Sequence, residues 1–377
     1  MAALAKQNKT GPDGKAASKA YFALEYTLDH LIATYPKPYI AYMDGITMGG
    51  GVGLSAHAPI RIATERTVFA MPETTIGFFP DVGASFFLPR MDGSVGTYLA
   101  LTSERLQGVN AFYAGIATHY IHSSSLPTLT ERLSELIFRD YEPLATRLRV
   151  IDTTIEEFGT GLPHDVPMLM AGQLRRAVDE CFQHDTMERI IEALEEEKRG
   201  PMREWAEKTL KTLSERSPTS LKVALKEMRL GSAWSIGDAF RREYHIAEKF
   251  MVHPDFVEGV SARLINKPPT VPKWNPPTLE DVSDQDVNDI FTVAGAQMLK
   301  LAAEGNYVEY PFGKSIGLPR ERDVQLMVQE KSLSREDLIK ELVAARNQKV
   351  GVKEKVEEIL ERMCTENGDR QLVWASQ

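Results

Sequence analysis

The chain has 377 residues, of which 43% are hydrophobic and 26% charged, with 26 glycines and 21 prolines; this is the profile of a folded globular protein with one large domain or two, and it excludes disordered and collagen-like classes. Its 53 acidic residues outnumber 44 basic ones, for a formal net charge of −9, so a chain that works mainly by covering nucleic-acid phosphates is excluded and no direct nucleic acid binding is expected. Two cysteines, Cys181 and Cys364, are too few for a disulfide framework or a four-cysteine zinc site, and no apolar run approaches about 18 residues, so neither a structural metal nor a membrane span is expected.

The first residues are polar and small, with Lys6, Lys9, Lys15 and Lys19, and have no apolar signal core. Gly11-Pro12-Asp13-Gly14 predicts a polar loop there. From Ala20, apolar residues at Tyr21, Leu24, Leu28, Leu31 and Ile32 recur at helical spacing and stop before Pro36 and Pro38, which predicts an amphipathic helix. Tyr39-Ile40-Ala41-Tyr42-Met43 predicts a buried strand closed by the turn pair Asp44-Gly45. Gly49-Gly50-Gly51-Val52-Gly53 then leads into small residues suited to a tightly packed helix start, and Ile60 to Thr64 and Thr67 to Met71 predict two further strands. Residues 72–87 are rich in glycine, proline and aromatics, with Glu73 and Asp81 embedded among them, and a helix is predicted over 93–101.

From Ser103 to Leu264 the spacing is mostly helical. Ser217-Pro218-Thr219-Ser220 carries a helix-start signal, and the acidic run at Glu195, Glu196 and Glu197 reads as an exposed helix end. Five prolines between Pro268 and Pro277 predict a linker or extended arm, because each removes a donor and fixes φ. Beyond it, Ser334 to Asp337 is a capping-box variant before Leu338, Leu342 and Val343, and Val352, Val356, Ile359, Leu360 and Met363 line another helix, so the tail reads as a small helical appendage. No internal repeat supports a solenoid.

Most local motifs fail. Leu54 stands where a dinucleotide fingerprint needs its third glycine, Val308 replaces the leading glycine of a phosphate loop ending Gly313-Lys314-Ser315, and neither G-x-S-x-G nor H-E-x-x-H occurs. What remains is Gly49-Gly50-Gly51 between a buried strand and a helix, followed by two carboxylates in an apolar, glycine-rich stretch. Unpaired backbone N–H groups at that helix start would suit a developing oxyanion, although the same glycines also serve a tight strand-to-helix turn. Burial of Glu73 and Asp81 would raise their pKa values and prepare them for acid or base work; the plainer alternative has Glu73 capping a helix and Asp81 opening a turn after Pro80. Glu25, followed by Tyr26 on the first helix, reads either as a solvated position or as a residue lining a pocket.

Asp44 to Leu54, Phe69 to Thr74 and Gly77 to Gly83 together resemble the 3-hydroxyisobutyryl-CoA hydrolases of the crotonase (enoyl-CoA hydratase/isomerase) superfamily. The likeness continues through Phe87-Leu88-Pro89-Arg90, Ala114 to His119, Ser217 to Lys222 and Glu258-Gly259-Val260, and runs from about Tyr21 to Trp274. It implies an α/β fold, a crotonase-like spiral of ββα units with a helical C-terminal part. It divides the chain into a CoA thioester-binding domain over 1–267, a Pro-rich linker over 268–285 and a helical extension over 286–377. It further implies Gly50 as the oxyanion-hole glycine, Glu73 as the catalytic carboxylate, Asp81 as its acidic partner near the substrate hydroxyl, and Glu25 and Gly49 as pocket positions. Glu73 would either attack the thioester to form an anhydride or activate water. Coenzyme A is part of the substrate, and no cofactor or metal is implied.

In relatives a preceding A-G-G-D loop supplies a second oxyanion N–H, and this chain starts where that loop ends, so the resemblance also implies a truncated chain with opening strands missing. The activity implied is hydrolysis of 3-hydroxyisobutyryl-CoA in valine breakdown. Two alternatives stand beside it: hydration or isomerisation of an enoyl-CoA, and a weakly active protein associated with the mitochondrial small ribosomal subunit. The partners implied are an acyl-CoA, a second copy of the chain in a homo-oligomer, and the mitochondrial ribosome. Mitochondrial placement follows from the resemblance alone.

Overall fold

The computed structural model describes residues 3–4, 12–293, 298–313, 315–367 and 371–375. Its first long helix, α1 (Pro12–Ala33), starts well before Ala20, which corrects the loop predicted at Pro12 to Gly14. Proline is tolerated in a first turn, whose N–H groups have no helical acceptor. The alanines and lysines that follow favour helix, and Ser18 is fully buried, so packing carries the helix back toward the N-terminus.

Strands β1 (Ile40–Met43) and β2 (Ile46–Met48) are followed by α2 (Gly50–Ala56), and β3 (Ile60–Ala63) and β4 (Val68–Ala70) repeat the pair. Only three residues long, β2 was hidden in the turn signals around it. β1 lies parallel to β3 with Ile40 opposite Ile60, and β2 lies parallel to β4 with Ile46 opposite Val68. Each ββ step therefore adds one strand to each of two stacked sheets, which is the predicted spiral. After α3 (Ala84–Phe87) and α4 (Val95–Thr102), β5 (Leu106–Gln107) joins β4 antiparallel. Beyond α5 (Val109–Tyr113), β6 (His119–Tyr120) joins β3 in parallel. Among the described residues β1 and β2 are each an outer strand of a three-stranded sheet.

The helical part comprises α6 (Leu126–Ser134), α7 (Leu144–Glu156), α8 (Gly172–Phe182), α9 (Met187–Glu197), α10 (Arg203–Ser214), α11 (Pro218–Gly231), α12 (Ile236–Phe250) and α13 (Pro254–Val260). Ser217 caps α11 by accepting the Ser220 N–H at 3.1 Å. The Pro-rich stretch lies on this layer: Trp274 Nε1 donates to the Glu215 carbonyl at 3.2 Å, and Asn275 N–H donates to Asp255 at 2.7 Å.

Beyond it come α14 (Asp284–Phe291), α15 (Glu321–Glu330), α16 (Arg335–Ala345) and α17 (Val352–Met363). A short hairpin of β7 (Cys364–Glu366) and β8 (Leu372–Trp374), which periodicity missed, follows them. Val324, Leu338, Val356 and Leu360 are fully buried in the same apolar cluster as Phe78 and Phe240. The tail thus shares one continuous core with the spiral.

Candidate active site

The loop after β2 and the loop after β4 open side by side because their strands are paired. Residues after Met48 and after Ala70 therefore face one cavity of about 500 Å³, whose lining includes Gly49, Gly50, Glu73 and Asp81 together with Glu25 from α1. All five residues singled out from the sequence meet there. Gly49 has φ 53°, and Gly50 opens α2. A Cβ on Gly50 would lie 2.8 Å from Glu25 Oε1, so glycine is what lets the carboxylate and the start of α2 approach. The first N–H groups of that helix have no intrahelical partner.

Glu73 opens a short 3-10 turn, Glu73–Ile76, after Met71-Pro72. Its side chain is buried and Oε2 has no hydrogen-bond partner among the described residues. Burial first, and Glu243 second, push its carboxyl up to about 8, against the opposing pull of its own backbone N–H. Asp81 is also buried and is held well above the usual carboxylate range by burial, then by Glu73 and Glu25. Tyr26 donates its hydroxyl to Asp81 Oδ2 at 2.7 Å. Tyr21 donates to Glu25 at 3.2 Å, yet burial still raises Glu25. Glu25 is half-buried and lines the cavity.

Three positioning residues escaped sequence reasoning. Val82 follows Asp81 with φ 56°, a strained conformation for a β-branched residue, and Gly83 follows with φ 82°. His57, at the end of α2, holds this turn: its Nε2 is 2.8 Å from the Val82 carbonyl, so Nε2 carries the proton and Nδ1 accepts from the Tyr310 hydroxyl at 3.0 Å. Burial lowers the His57 pKa to about 4, which keeps the ring neutral. A Cβ on Gly83 would meet His57 Nε2 at 2.2 Å. On the other side Glu243, from α12, accepts from the Gly83 and Ser85 N–H groups at 2.7 and 3.0 Å. Tyr26 was legible in principle, four residues after Phe22 on the buried stripe of α1. His57, Glu243 and Tyr310 had no local signal, because their partners are 25 to 253 residues away.

The site is a group of buried acids and backbone donors: a carboxyl with a free oxygen, a second acid held by a tyrosine, and a helix start beside both. That suits attack on a polarised carbonyl with proton transfer. One trio among the described residues, His119, Asp152 and Glu156, clusters like metal ligands, but the Lys349 ammonium already bridges both carboxylates. A second cavity, of about 160 Å³, lies beyond His57 against Tyr310 and Arg61. It is apart from the carboxylates.

A family model described as enoyl-CoA hydratase/isomerase matches residues 1–291. The Neurospora crassa small ribosomal subunit protein mS47 is 52% identical to this chain over 99% of it and 75% of that protein. The mitochondrial 3-hydroxyisobutyryl-CoA hydrolase of Gallus gallus is 42% identical over 77% of this chain and 73% of that one. Among solved structures, a carnitinyl-CoA dehydratase from Mycobacterium thermoresistibile superposes with TM-score 0.68 at 32% identity, covering 80% of each chain. An enoyl-CoA hydratase from Rhodobacter sphaeroides 2.4.1 gives TM-score 0.65 at 30% identity over 79% of this chain and 80% of that one.

Proposed function

Because the chain belongs to the enoyl-CoA hydratase/isomerase family, we propose that it acts on an acyl-CoA and hydrolyses the thioester of 3-hydroxyisobutyryl-CoA to 3-hydroxyisobutyrate and CoA. The observation that carries this reading is the unpartnered Glu73 Oε2, buried in the same cavity as Gly50 and Asp81. In the reaction, the thioester carbonyl accepts from the Gly50 N–H. Glu73, once ionised, either attacks the carbonyl carbon to give an anhydride that water then opens, or takes a proton from the attacking water. On the water route that proton passes to the departing sulfur, so one water is consumed and one thiol released. Asp81 stays protonated beside it and bonds the 3-hydroxyl; two neighbouring carboxyls do not readily ionise together. No metal or organic cofactor enters these steps. Relatives with mitochondrial names at 40–42% identity support a mitochondrial setting.

The test is thiol release from 3-hydroxyisobutyryl-CoA, with crotonyl-CoA hydration measured in parallel. Thiol release that disappears in Glu73→Gln is the expected result; rapid hydration without thiol release moves the chain to the hydratase reading. A second reading has its own support: the similarity to the mS47 protein extends over the tail, whereas that to the Gallus gallus hydrolase covers 77% of the chain. Association with the mitochondrial small ribosomal subunit predicts co-sedimentation of the full-length chain with that subunit. Absence from those fractions removes that reading.

A further inference from the structure

The second cavity, of about 160 Å³, is walled on one side by the spiral and on the other by the segment that leads into α15. The spiral contributes Arg61 of β3, Phe87, Arg90 and residues 113–118 at the end of α5, and the tail contributes Tyr307, Tyr310, Phe312 and Arg320. Much of this wall is aromatic or aliphatic, but its charge is unbalanced. Among the described lining residues Asp92 is the sole carboxylate, and Lys355 already pairs with it at 2.9 Å. Arg61, Arg90 and Arg320 are left in surplus. Arg61 gives Nε to the Ile116 carbonyl and Nη1 to the Ala58 carbonyl, both at 2.6 Å, and Nη2 to the Gly115 carbonyl at 3.3 Å. A guanidinium carries more N–H donors than these bonds use, so Arg61 has donors over for another acceptor. Arg90 likewise bonds carbonyls, those of Phe86, Trp234 and Val308 among them. Burial lowers the pKa of both, yet a guanidinium stays cationic at neutral pH. Arg320 meets Glu309 at 3.4 Å and Asp323 at 3.6 Å through its Nη atoms, while its Nε is buried without a partner among the described residues.

We propose that this cavity is a second ligand site, for a small monocarboxylate with an apolar or aromatic body. The inference does not depend on the acyl-CoA reading of the first cavity. The space holds an organic molecule rather than a single water. Its aromatic wall offers large, stiff apolar surface to the body of such a ligand. Carboxylates accept charge-assisted bonds from guanidinium groups, and one negative charge would occupy donors that the fold leaves over at Arg61 and Arg320. A neutral ligand of the same shape would leave those donors unpaired and the surplus charge uncompensated.

The experiment is isothermal titration of the full chain at pH 7 with 3-phenylpropionate and octanoate, against 3-phenylpropanamide and acetate, with and without saturating CoA. At least one of the two long acids is expected to bind, the amide about ten- to hundredfold more weakly than its acid, and acetate not measurably. Affinity for the acid should be unchanged by CoA. Arg320→Gln and Arg61→Gln should each remove much of the preference for acid over amide, and Ala114→Leu, which lengthens a lining side chain, should weaken acid and amide alike. Arg61→Gln could disturb folding by releasing three carbonyls; Arg320 and Ala114 are half-buried, and their variants keep the test decisive. No binding of either long acid, equal affinity for acid and amide, displacement of the acid by CoA, or a preference that survives both arginine substitutions would each overturn the site. If the chain binds no CoA, the acyl-CoA reading falls, and Ala114→Leu still reports whether the acid occupies the second cavity.

Discussion

Two regions of this protein bury charge in opposite ways. In the cavity, Glu73 and Asp81 are buried without a cation among their main neighbours, and both are held in their neutral forms. Where the tail meets the spiral, the charges are buried or half-buried, but paired. Lys349 binds Asp152 at 3.1 Å and also Glu156, and His119 Nε2 lies 2.9 Å from Asp152. A second network runs from Arg175 and Asp179 on α8 to Glu321 on α15 and to Glu358 and Arg362 on α17. There burial pushes Asp152 up, but His119 and Lys349 outweigh it and its pKa falls; Arg362 is likewise raised, because Glu358 and Glu321 outweigh its burial. Glu73 and Asp152 shift in opposite directions because their partners differ, whereas burial still raises Asp179 beside Arg175. Uncompensated acids are set for chemistry, and compensated ones join two parts of the chain.

The sharpest way to break this contrast is Glu73→Gln. Thiol release should fall by about a thousandfold or more, as for loss of a reacting carboxylate. The same variant should be more stable, by about 3 kcal/mol near pH 7. The sign follows from the raised pKa: between about 4.5 and 8 the unfolded chain gives up a proton that the folded one retains, so the native group loses stability as pH rises through that window. Denaturant unfolding at pH 5 and pH 8 checks it, and a destabilised variant would show that Glu73 is structurally compensated after all. Lys349→Met tests the paired region. It strands two carboxylates and should cost about 3–5 kcal/mol. His119, now held down by burial and by Lys349, would protonate more readily in the variant, so the loss should be smaller at pH 5 than at pH 8.

A pH profile sharpens the contrast without any substitution. If ionised Glu73 is the working form, kcat/KM should climb with pH and level off above about 8; a limb complete below pH 6 would mean that the carboxylate ionises normally. The smallest effect is expected from Tyr310→Phe, which connects the two regions by removing the tail's hydroxyl from His57. Stability should fall by about 1 kcal/mol. The freer Val82 turn should lower kcat a few-fold with little change in KM, and an unchanged kcat would show that the tail does not position Asp81.

Much of the site was legible because its parts are local. Gly49 and Gly50 follow a strand, Glu73 follows another, and those strands pair, so their loops converge. Glu25 was ambiguous because one helical turn cannot say which side a neighbour covers; tertiary packing buries Tyr26 and leaves Glu25 on the cavity wall. The early start of α1 and the three-residue β2 were hidden for the opposite reason. Weak local preference was overridden by burial in one case, and an element too short to show a period escaped in the other. His57, Tyr310 and Glu243 were silent because nothing near them in the chain marks their partners.

The amino-acid sequence by itself determined the order of ββα steps, the glycines at the start of α2 and the two acids that meet them. These depend on turn chemistry and alternation within a few residues, and local sterics suffice to set them. The tertiary structure decided which acids are neutral, that the Nε groups of Arg216 and Arg263 are buried without a partner among the described residues, and that the tail shares the core. Protonation and pairing depend on desolvation and on charges from distant segments. Those quantities exist only once the chain has folded.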